Sequence, residues 1–160
     1  MASLNRITPC LWFDTRAEEA ARFYTSLFED SRVLKTTYYG PGMPGPEGSV
    51  LTVEFELAGQ RIVALNGGPH FTFDEAFSLM VDCEDQREVD RLWEALTEGG
   101  EESQCGWLKD RFGLSWQIIP TVLDELLEDP DPGRRQRATA AMLGMRKLVV
   151  ADLLRAADGG

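Results

Sequence analysis

Residues Cys105–Pro120 read CGWLKDRFGLSWQIIP. Two short runs rich in aromatic and β-branched residues, Trp107-Leu108 and Ser115–Ile119, flank a charged tip, Lys109-Asp110-Arg111, with Gly113 to turn on. This is the pattern of a β-hairpin whose inward side chains would wall a pocket and whose charged tip would lie in solvent. Pro120 has no N–H to give to a ladder and should end the second strand.

Upstream of the hairpin, Phe77 to Val81 has β character, and Asp85 followed by Glu88 marks a helix start. Val89, Leu92, Trp93 and Leu96 then share one helical face, and Gly99-Gly100 stops the run. Three short strands fit after it, near residues 101–104, 105–109 and 114–119. The same order occurs earlier in the chain. Ile7 to Phe13 is an apolar strand, and Thr15 with Glu18 has capping-box spacing. Ala20, Phe23, Tyr24, Leu27 and Phe28 recur at three and four. Strands are expected at Val33–Tyr39, Val50–Leu57 and Arg61–Leu65. A shift of 69 positions lays Leu11 on Met80, Ala20 on Val89, Phe23 on Leu92, Tyr24 on Trp93 and Leu27 on Leu96. Each half is thus a β-α-β-β-β module, about residues 5–70 and 71–120, in one α+β domain spanning 1–160. A helical tail, 121–160, follows. Its Leu143, Leu148, Val149, Leu153 and Leu154 need burial against the sheet or a second subunit.

The whole-chain properties narrow the class of partner. With 160 residues there is room for one ordinary core, and 16 Lys plus Arg against 27 Asp plus Glu give a net charge of -11. Such a surface repels phosphate backbones, so nucleic acid is not an expected partner. No stretch approaches the roughly 18 apolar residues of a membrane span, and the N-terminal MASLNRITPCLWF lacks a long apolar region. The expectation is a soluble, cytoplasmic protein. Cys10, Cys83 and Cys105 are odd in number and widely spaced, as reduced thiols are.

The segments LWFDTRAEEAARFYTSLF, VEFELAGQRIVALNGGPHF, FSLMVDCEDQREVDRLW and CGWLKDRFGLSWQIIPTVL resemble, in order and spacing, the PhnB-like family of the vicinal-oxygen-chelate (glyoxalase/bleomycin-resistance/dioxygenase) superfamily. Members of this branch commonly carry the label 3-demethylubiquinone-9 3-methyltransferase. The resemblance implies two βαβββ modules forming an open curled mixed sheet around a cleft, and a homodimer, often with exchanged parts. Metal-dependent members carry a His/Gln/Glu quartet on the first and last strands of the modules. Those places fall here near Thr8 or Pro9, near Val63, at Ala76 and at Gln117, of which only Gln117 is expected to be able to bind a metal, and one neutral amide is too weak a site alone. No metal and no cofactor are expected.

The candidate chemistry is sparse. A G-x-G-x-x-G string at Gly40, Gly42 and Gly45 is stiffened by Pro41, Pro44 and Pro46 and leads into a strand. Without a following helix it is a surface loop or a flap, not a cofactor turn. His70, the single histidine, is either a structural hydrogen-bonder or a ligand contact able to move a proton near neutrality. Asn66 and Gly67-Gly68 beside it could meet a ligand oxygen, or simply turn the chain. Cys105 is a nucleophile if His70 lies within reach, and otherwise a packed strand residue. Trp12, Trp107 and Trp116 are cleft walls or core. Asp82-Cys83-Glu84-Asp85 at a helix start is a capping run. The expected function is binding of a small aromatic or carbonyl-bearing molecule in a cleft lined by Trp12, Asn66, His70, Phe71, Cys105, Trp107, Trp116 and Gln117. The alternative is an enzyme of the same fold, with His70 as acid/base, Gln117 or Asn66 orienting the substrate, and Cys105 as a second catalytic candidate.

Overall fold

The computed structural model describes residues 6–160, which divide into two compact units, one up to Thr72 and one from Phe73 onward. The first holds β1 (Cys10–Phe13), α1 (Ala17–Leu27), β2 (Arg32–Tyr38), β3 (Val50–Leu57) and β4 (Gln60–Asn66). Its strands lie in the order β1-β4-β3-β2, with β1 parallel to β4 and the other pairs antiparallel. The second holds β5 (Ser78–Cys83), α2 (Gln86–Thr97), β6 (Glu101–Glu102), β7 (Trp107–Lys109) and β8 (Ser115–Pro120). Its order is β5-β8-β7-β6, with β5 parallel to β8. Numbered from its own start, each unit has the same strand order, so the βαβββ repeat is a repeat of topology. The fold is α+β, with two open mixed sheets and, among the described residues, five helices.

Alternation decides which sheet face is covered. In β3, Val53, Phe55 and Leu57 are buried while Thr52, Glu54 and Glu56 turn to the other face; in β4, Ile62, Ala64 and Asn66 share the buried side. α1 lies on that side through Ala17, Ala20, Ala21 and Tyr24, with the Tyr24 ring tilted on Phe55 at 6.4 Å. Phe23, Leu27 and Phe28 are only half-buried, because the three alanines let the helix backbone approach and take the contact. α2 keeps the expected stripe, Val89, Leu92, Trp93 and Leu96, all buried.

The 69-residue shift holds for the helices but not for the first strands. Met80, which the shift lays on buried Leu11, is 66% exposed, and Cys83 rather than Asp82 takes the buried place of Phe13. The turn from Cys83 to α2 is one residue shorter than the turn from Phe13 to α1, and a slip of one residue exchanges the faces of a strand.

The helix starts also divide. Asp85 caps α2 as expected, its Oδ1 accepting from Glu88 N–H at 2.9 Å, while Glu88 Oε2 accepts from Glu84 N–H at 2.9 Å. Thr15 makes no such cap; Arg16 is the N-cap residue and gives no side-chain bond. Instead Ala17 N–H donates to Asn66 Oδ1, at the end of β4, at 2.8 Å.

The tail forms α3 (Thr121–Leu127), α4 (Pro132–Leu143) and α5 (Val150–Ala157). α4 begins at Pro132, where Asp131 Oδ1 accepts from Gly133 N–H at 3.0 Å and Pro132 suits a first turn. Part of the tail's apolar surface is buried within the second unit. Leu123, Leu126, Leu148 and Leu153 pack with Ile119, Ala138 and Ala157 into one cluster, and Leu143 and Leu154 remain exposed. Backbone bonds from Cys105 N–H to Met145 O and from Gly106 N–H to Arg146 O, both 2.8 Å, tie the tail to the hairpin segment.

Gln86 clasps the tail from the first turn of α2. Its Nε2 donates to Leu148 O at 3.1 Å, and its Oε1 accepts from Val150 N–H at 2.7 Å, capping α5 from a distant element. Gln86→Ala should cost about 1–2 kcal/mol and should speed amide exchange in α5 before the rest of the unit opens, measurable by hydrogen exchange. Asp90 sits beside this clasp, held below the usual carboxylate range by hydrogen bonds from Lys147 and Gln86. A carboxyl whose folded pKa is depressed adds stability above its ordinary pKa and loses it as pH falls through the folded value. Exchange in α5 should therefore quicken on acidification through that window, and an Asp90→Asn variant should lose that dependence.

Candidate functional site

The C-terminal ends of the parallel strands β1 and β4, the first turn of α1 and the loop from Tyr39 to Ser49 enclose a recess of about 570 Å³ within the first unit. Its wall includes Asp14, Glu18, Tyr39, Pro44, Pro46, Val50, Asn66 and His70. The loop is the G-x-G-x-x-G stretch, and it leads into β3 as expected. Two contacts hold it down. Tyr39 Oη donates to Asn66 O, and the Gly45 backbone lies so close to the Tyr39 ring that any Cβ there would overlap it. Tyr39 N–H to Ser49 O and Gly48 N–H to Tyr39 O, both 2.8 Å, close the loop's base.

The expected site residues of this unit meet here in different ways. Trp12 backs the Gly67-Gly68 turn: its indole N–H donates to Gly68 O at 2.9 Å, and a Cβ on Gly67 would strike its ring. Phe71, 65% exposed, meets Trp12 edge-on at 4.9 Å and 80°. Asn66 is buried, and both ends of its amide serve backbone, Oδ1 to Ala17 N–H and Nδ2 to Val50 O at 3.1 Å. His70 is exposed on the rim of the recess. Asp14 and Tyr39 were not singled out by the sequence, and Glu18 only as a helix-cap partner; the signal that could have found them is their spacing about the strand-helix turn and the flap.

The remaining expected residues belong to the second unit. Trp116 is fully buried, with its indole N–H donating to Asp110 Oδ2 at 2.9 Å; of the two readings it carried, the core one holds. Asp110 is itself only 2% exposed, so the hairpin tip is not the solvated loop its charges suggested. Asp110 Oδ1 accepts from Phe112 N–H at 2.8 Å and Leu114 N–H at 3.1 Å, and the carboxylate is the peg of the turn. Gln117 and Trp107 are register partners on the opposite sheet face, half-buried, with Gln117 Nε2 donating to Ser78 Oγ at 2.9 Å. Cys105 is half-buried with a left-handed φ of 59°, ahead of Gly106 at 85°. Lys109 pairs with Glu75 of its own chain.

Thiol chemistry finds little support at Cys83, whose pKa is pushed up to about 12, first by burial and then by Glu88 and Asp82. Burial raises the Cys10 thiol as well.

Three of the four places that the resemblance gave to metal ligands do not offer a donor set suited to a divalent cation. Val63 and Ala76 have no donor atom in their side chains, and Gln117 is a neutral amide already bonded to Ser78. Among the described residues no three His, Cys, Asp or Glu side chains group so as to hold a metal ion. No described helix is long and apolar enough to cross a membrane.

A family model described as 3-demethylubiquinone-9 3-methyltransferase matches residues 5–119, which leaves the helical tail outside the match. The PhnB protein of Bacillus cereus is 36% identical, with 73% of this chain and 100% of that one covered and a TM-score of 0.68. A Pseudomonas aeruginosa protein, 21% identical over 71% of this chain and 96% of its own, shares the fold with a TM-score of 0.59. So does a fosfomycin resistance protein of Listeria monocytogenes, solved with Mn(II) and sulfate, at 15% identity, 80% and 98% coverage and a TM-score of 0.54. No curated protein matches. With the repeated βαβββ topology, the match over residues 5–119 and the 36% identical relative in agreement, the chain belongs to the PhnB-like 3-demethylubiquinone-9 3-methyltransferase family.

Proposed function

We propose that this chain is a metal-independent PhnB-like protein that binds a small organic molecule and works as a homodimer. The observation that carries the reading is the recess of the first unit. Its volume of about 570 Å³ lies in the range of small-molecule sites, and its wall combines apolar surface from Pro44, Pro46 and Val50 with a few polar groups. The absence of a fitting ligand set at Val63, Ala76 and Gln117 favours binding without a metal. Phe77 and Met80, both exposed in the second unit, favour association of two copies through that unit, since exposed large apolar side chains are available for contact. Native mass spectrometry of freshly purified protein, with metal analysis of the same sample, tests all three parts. A dimer carrying an organic adduct and no stoichiometric metal is expected; stoichiometric divalent metal overturns the reading.

Gly67→Ala probes the recess without touching its polar groups. The new Cβ displaces the Trp12 ring and with it the indole bond to Gly68 O. The retained adduct should fall about tenfold or more in occupancy at equal ligand, an effect of the order of one lost hydrogen bond plus packing.

His70 on the rim favours a second reading, an enzyme of the same fold with His70 as acid/base, whether a lyase, an isomerase or the methyl transfer of the family's description. His70→Ala should then abolish turnover of the adduct's parent compound while leaving the dimer intact. Surviving turnover would remove this reading and leave the binding one untouched.

A further inference from the structure

The chain holds two asparagines, Asn5 and Asn66, and only Asn66 precedes a glycine. That pair of neighbours can react with each other. The backbone nitrogen of Gly67 can attack Cγ of the Asn66 side chain, because glycine has no Cβ to hold the two apart. A C–N bond forms and the Cγ–Nδ2 bond breaks, which closes a five-membered succinimide ring. Ammonia leaves, taking the proton that the Gly67 nitrogen gives up. Water then opens the ring at either of its carbonyls, leaving aspartate or isoaspartate. One amide and one water become one carboxyl and one ammonia, with no oxidant and no cofactor.

The folded first unit blocks this step at several atoms. Asn66 is 8% exposed, and its amide is pinned at both ends, Oδ1 by Ala17 N–H at 2.8 Å and Nδ2 by Val50 O at 3.1 Å. Gly67 N–H donates to Phe13 O at 2.9 Å, so the nitrogen that must attack keeps its proton. The segment around the pair is fixed as well. Tyr39 Oη donates to Asn66 O, and the Trp12 indole, bonded to Gly68 O at 2.9 Å, fills the place that a Gly67 Cβ would take. Bringing Cγ onto the Gly67 nitrogen breaks both amide bonds and the Gly67 bond together.

We propose that Asn66 is a modification site gated by local opening: it converts to aspartate or isoaspartate only while the end of β4 is released from β1 and α1. The recess borders Asn66, so water reaches the ring once the segment is open. Neither product closes as the parent did. Both have lost the donor for Val50 O, which leaves a backbone acceptor unpaired. Isoaspartate also routes the main chain through the side chain, and the extra carbon shifts Gly67 N–H away from Phe13 O. The modified fraction therefore records the time the first unit has spent open, and the inference needs no ligand in the recess.

Incubation of the full chain at mildly alkaline pH, in buffer and in urea, tests this by peptide mapping of the Asn66 segment with isoaspartate detection. The site should convert in urea and should convert at least about tenfold more slowly in the folded chain. Trp12→Phe removes the indole bond to Gly68 O, and Tyr39→Phe removes the bond to Asn66 O. Each should raise the folded rate about three- to tenfold, the effect of one hydrogen bond, and leave the urea rate unchanged. Hydrogen exchange of the Gly67 amide should rise by the same factor in each variant, since it reports the same opening. The isolated modified chain should melt lower than the parent. The proposal is overturned by absence of conversion in urea, by equal rates in buffer and urea, or by a folded rate that neither variant moves. It is equally overturned if conversion rises without Gly67 exchange, or if the modified chain melts with the parent.

Discussion

Asp110→Ala should destabilise the chain by about 3–5 kcal/mol and lower its melting temperature by roughly 10 °C or more. The magnitude follows from what the carboxylate holds. Two turn amides, Phe112 N–H and Leu114 N–H, end on Oδ1, and the Trp116 indole ends on Oδ2. At 2% exposure of Asp110 and 0% of Trp116, water cannot replace the lost acceptor without opening the hairpin. Two further variants separate the contributions. Trp116→Phe removes only the indole donor and should cost about 1–3 kcal/mol, from lost volume and one bond. Asp110→Asn keeps an acceptor for the turn amides but can turn an NH₂ group toward the indole N–H, donor against donor, and should fall between the other two. Calorimetric or denaturant unfolding measures all three; a loss below about 1 kcal/mol for Asp110→Ala would sink the account.

The hairpin from which the fold was read shows where sequence reasoning reached and where it stopped. The alternation of Trp107, Leu108 and Ser115–Ile119 made the two strands legible, because period two is a property of neighbours in the chain. The burial of Asp110 was not legible. A charged tip of three residues looks solvated, and only the return of Trp116 under the turn, six residues on, makes the carboxylate an internal acceptor. The same distinction separates the helix starts. Asp85 caps α2 through a residue three positions away, and so the sequence shows it. The caps of α1 and α5 come from Asn66 and Gln86, 49 and 64 positions away, and no local pattern announces them. Thr15-x-x-Glu18 had the right spelling for a cap that the structure does not use.

The candidate site divides along the same line. His70, Asn66, Phe71 and Trp12 could be named as a group because strand ends and glycine turns collect at one place in a βαβββ unit. Their roles could not. Trp12 serves the Gly67-Gly68 turn, and Asn66 serves two backbone groups, since polar side chains at a strand end satisfy the nearest orphan donors first. Tyr39 fixes the flap through a bond to the main chain of residue 66, an acceptor that every residue carries and that composition therefore cannot flag. The one-residue slip between the modules is of the same kind. Shifting by 69 aligned the helices well enough to prove a repeat, yet it put Met80 on the wrong face, because turn length is not part of the hydrophobic pattern.

Asn66→Leu carries the second large effect, and it joins stability to the site. The substitution keeps roughly the volume of the side chain and removes both polar ends, which strands Ala17 N–H at the start of α1 and Val50 O at the start of β3. Two backbone groups left unpaired in a largely buried place should cost about 2–5 kcal/mol. Asn66→Asp distinguishes the two ends. It keeps an acceptor for Ala17 N–H, beside a helix N-terminus where negative charge is favoured, but sets a carboxylate oxygen against Val50 O. A loss confined to the β3 side should therefore be smaller than for leucine and should grow as the new carboxyl ionises with rising pH. Val50, Asn66 and the α1 entry residues Asp14 and Glu18 all line the recess. Any variant that frees the start of α1 should also weaken adduct binding, in the order Leu before Asp. Equal stability of Asn66→Leu and the parent would mean that α1 and β3 are held by other contacts. Adduct binding that survived a measured loss of stability would separate the cap from the site.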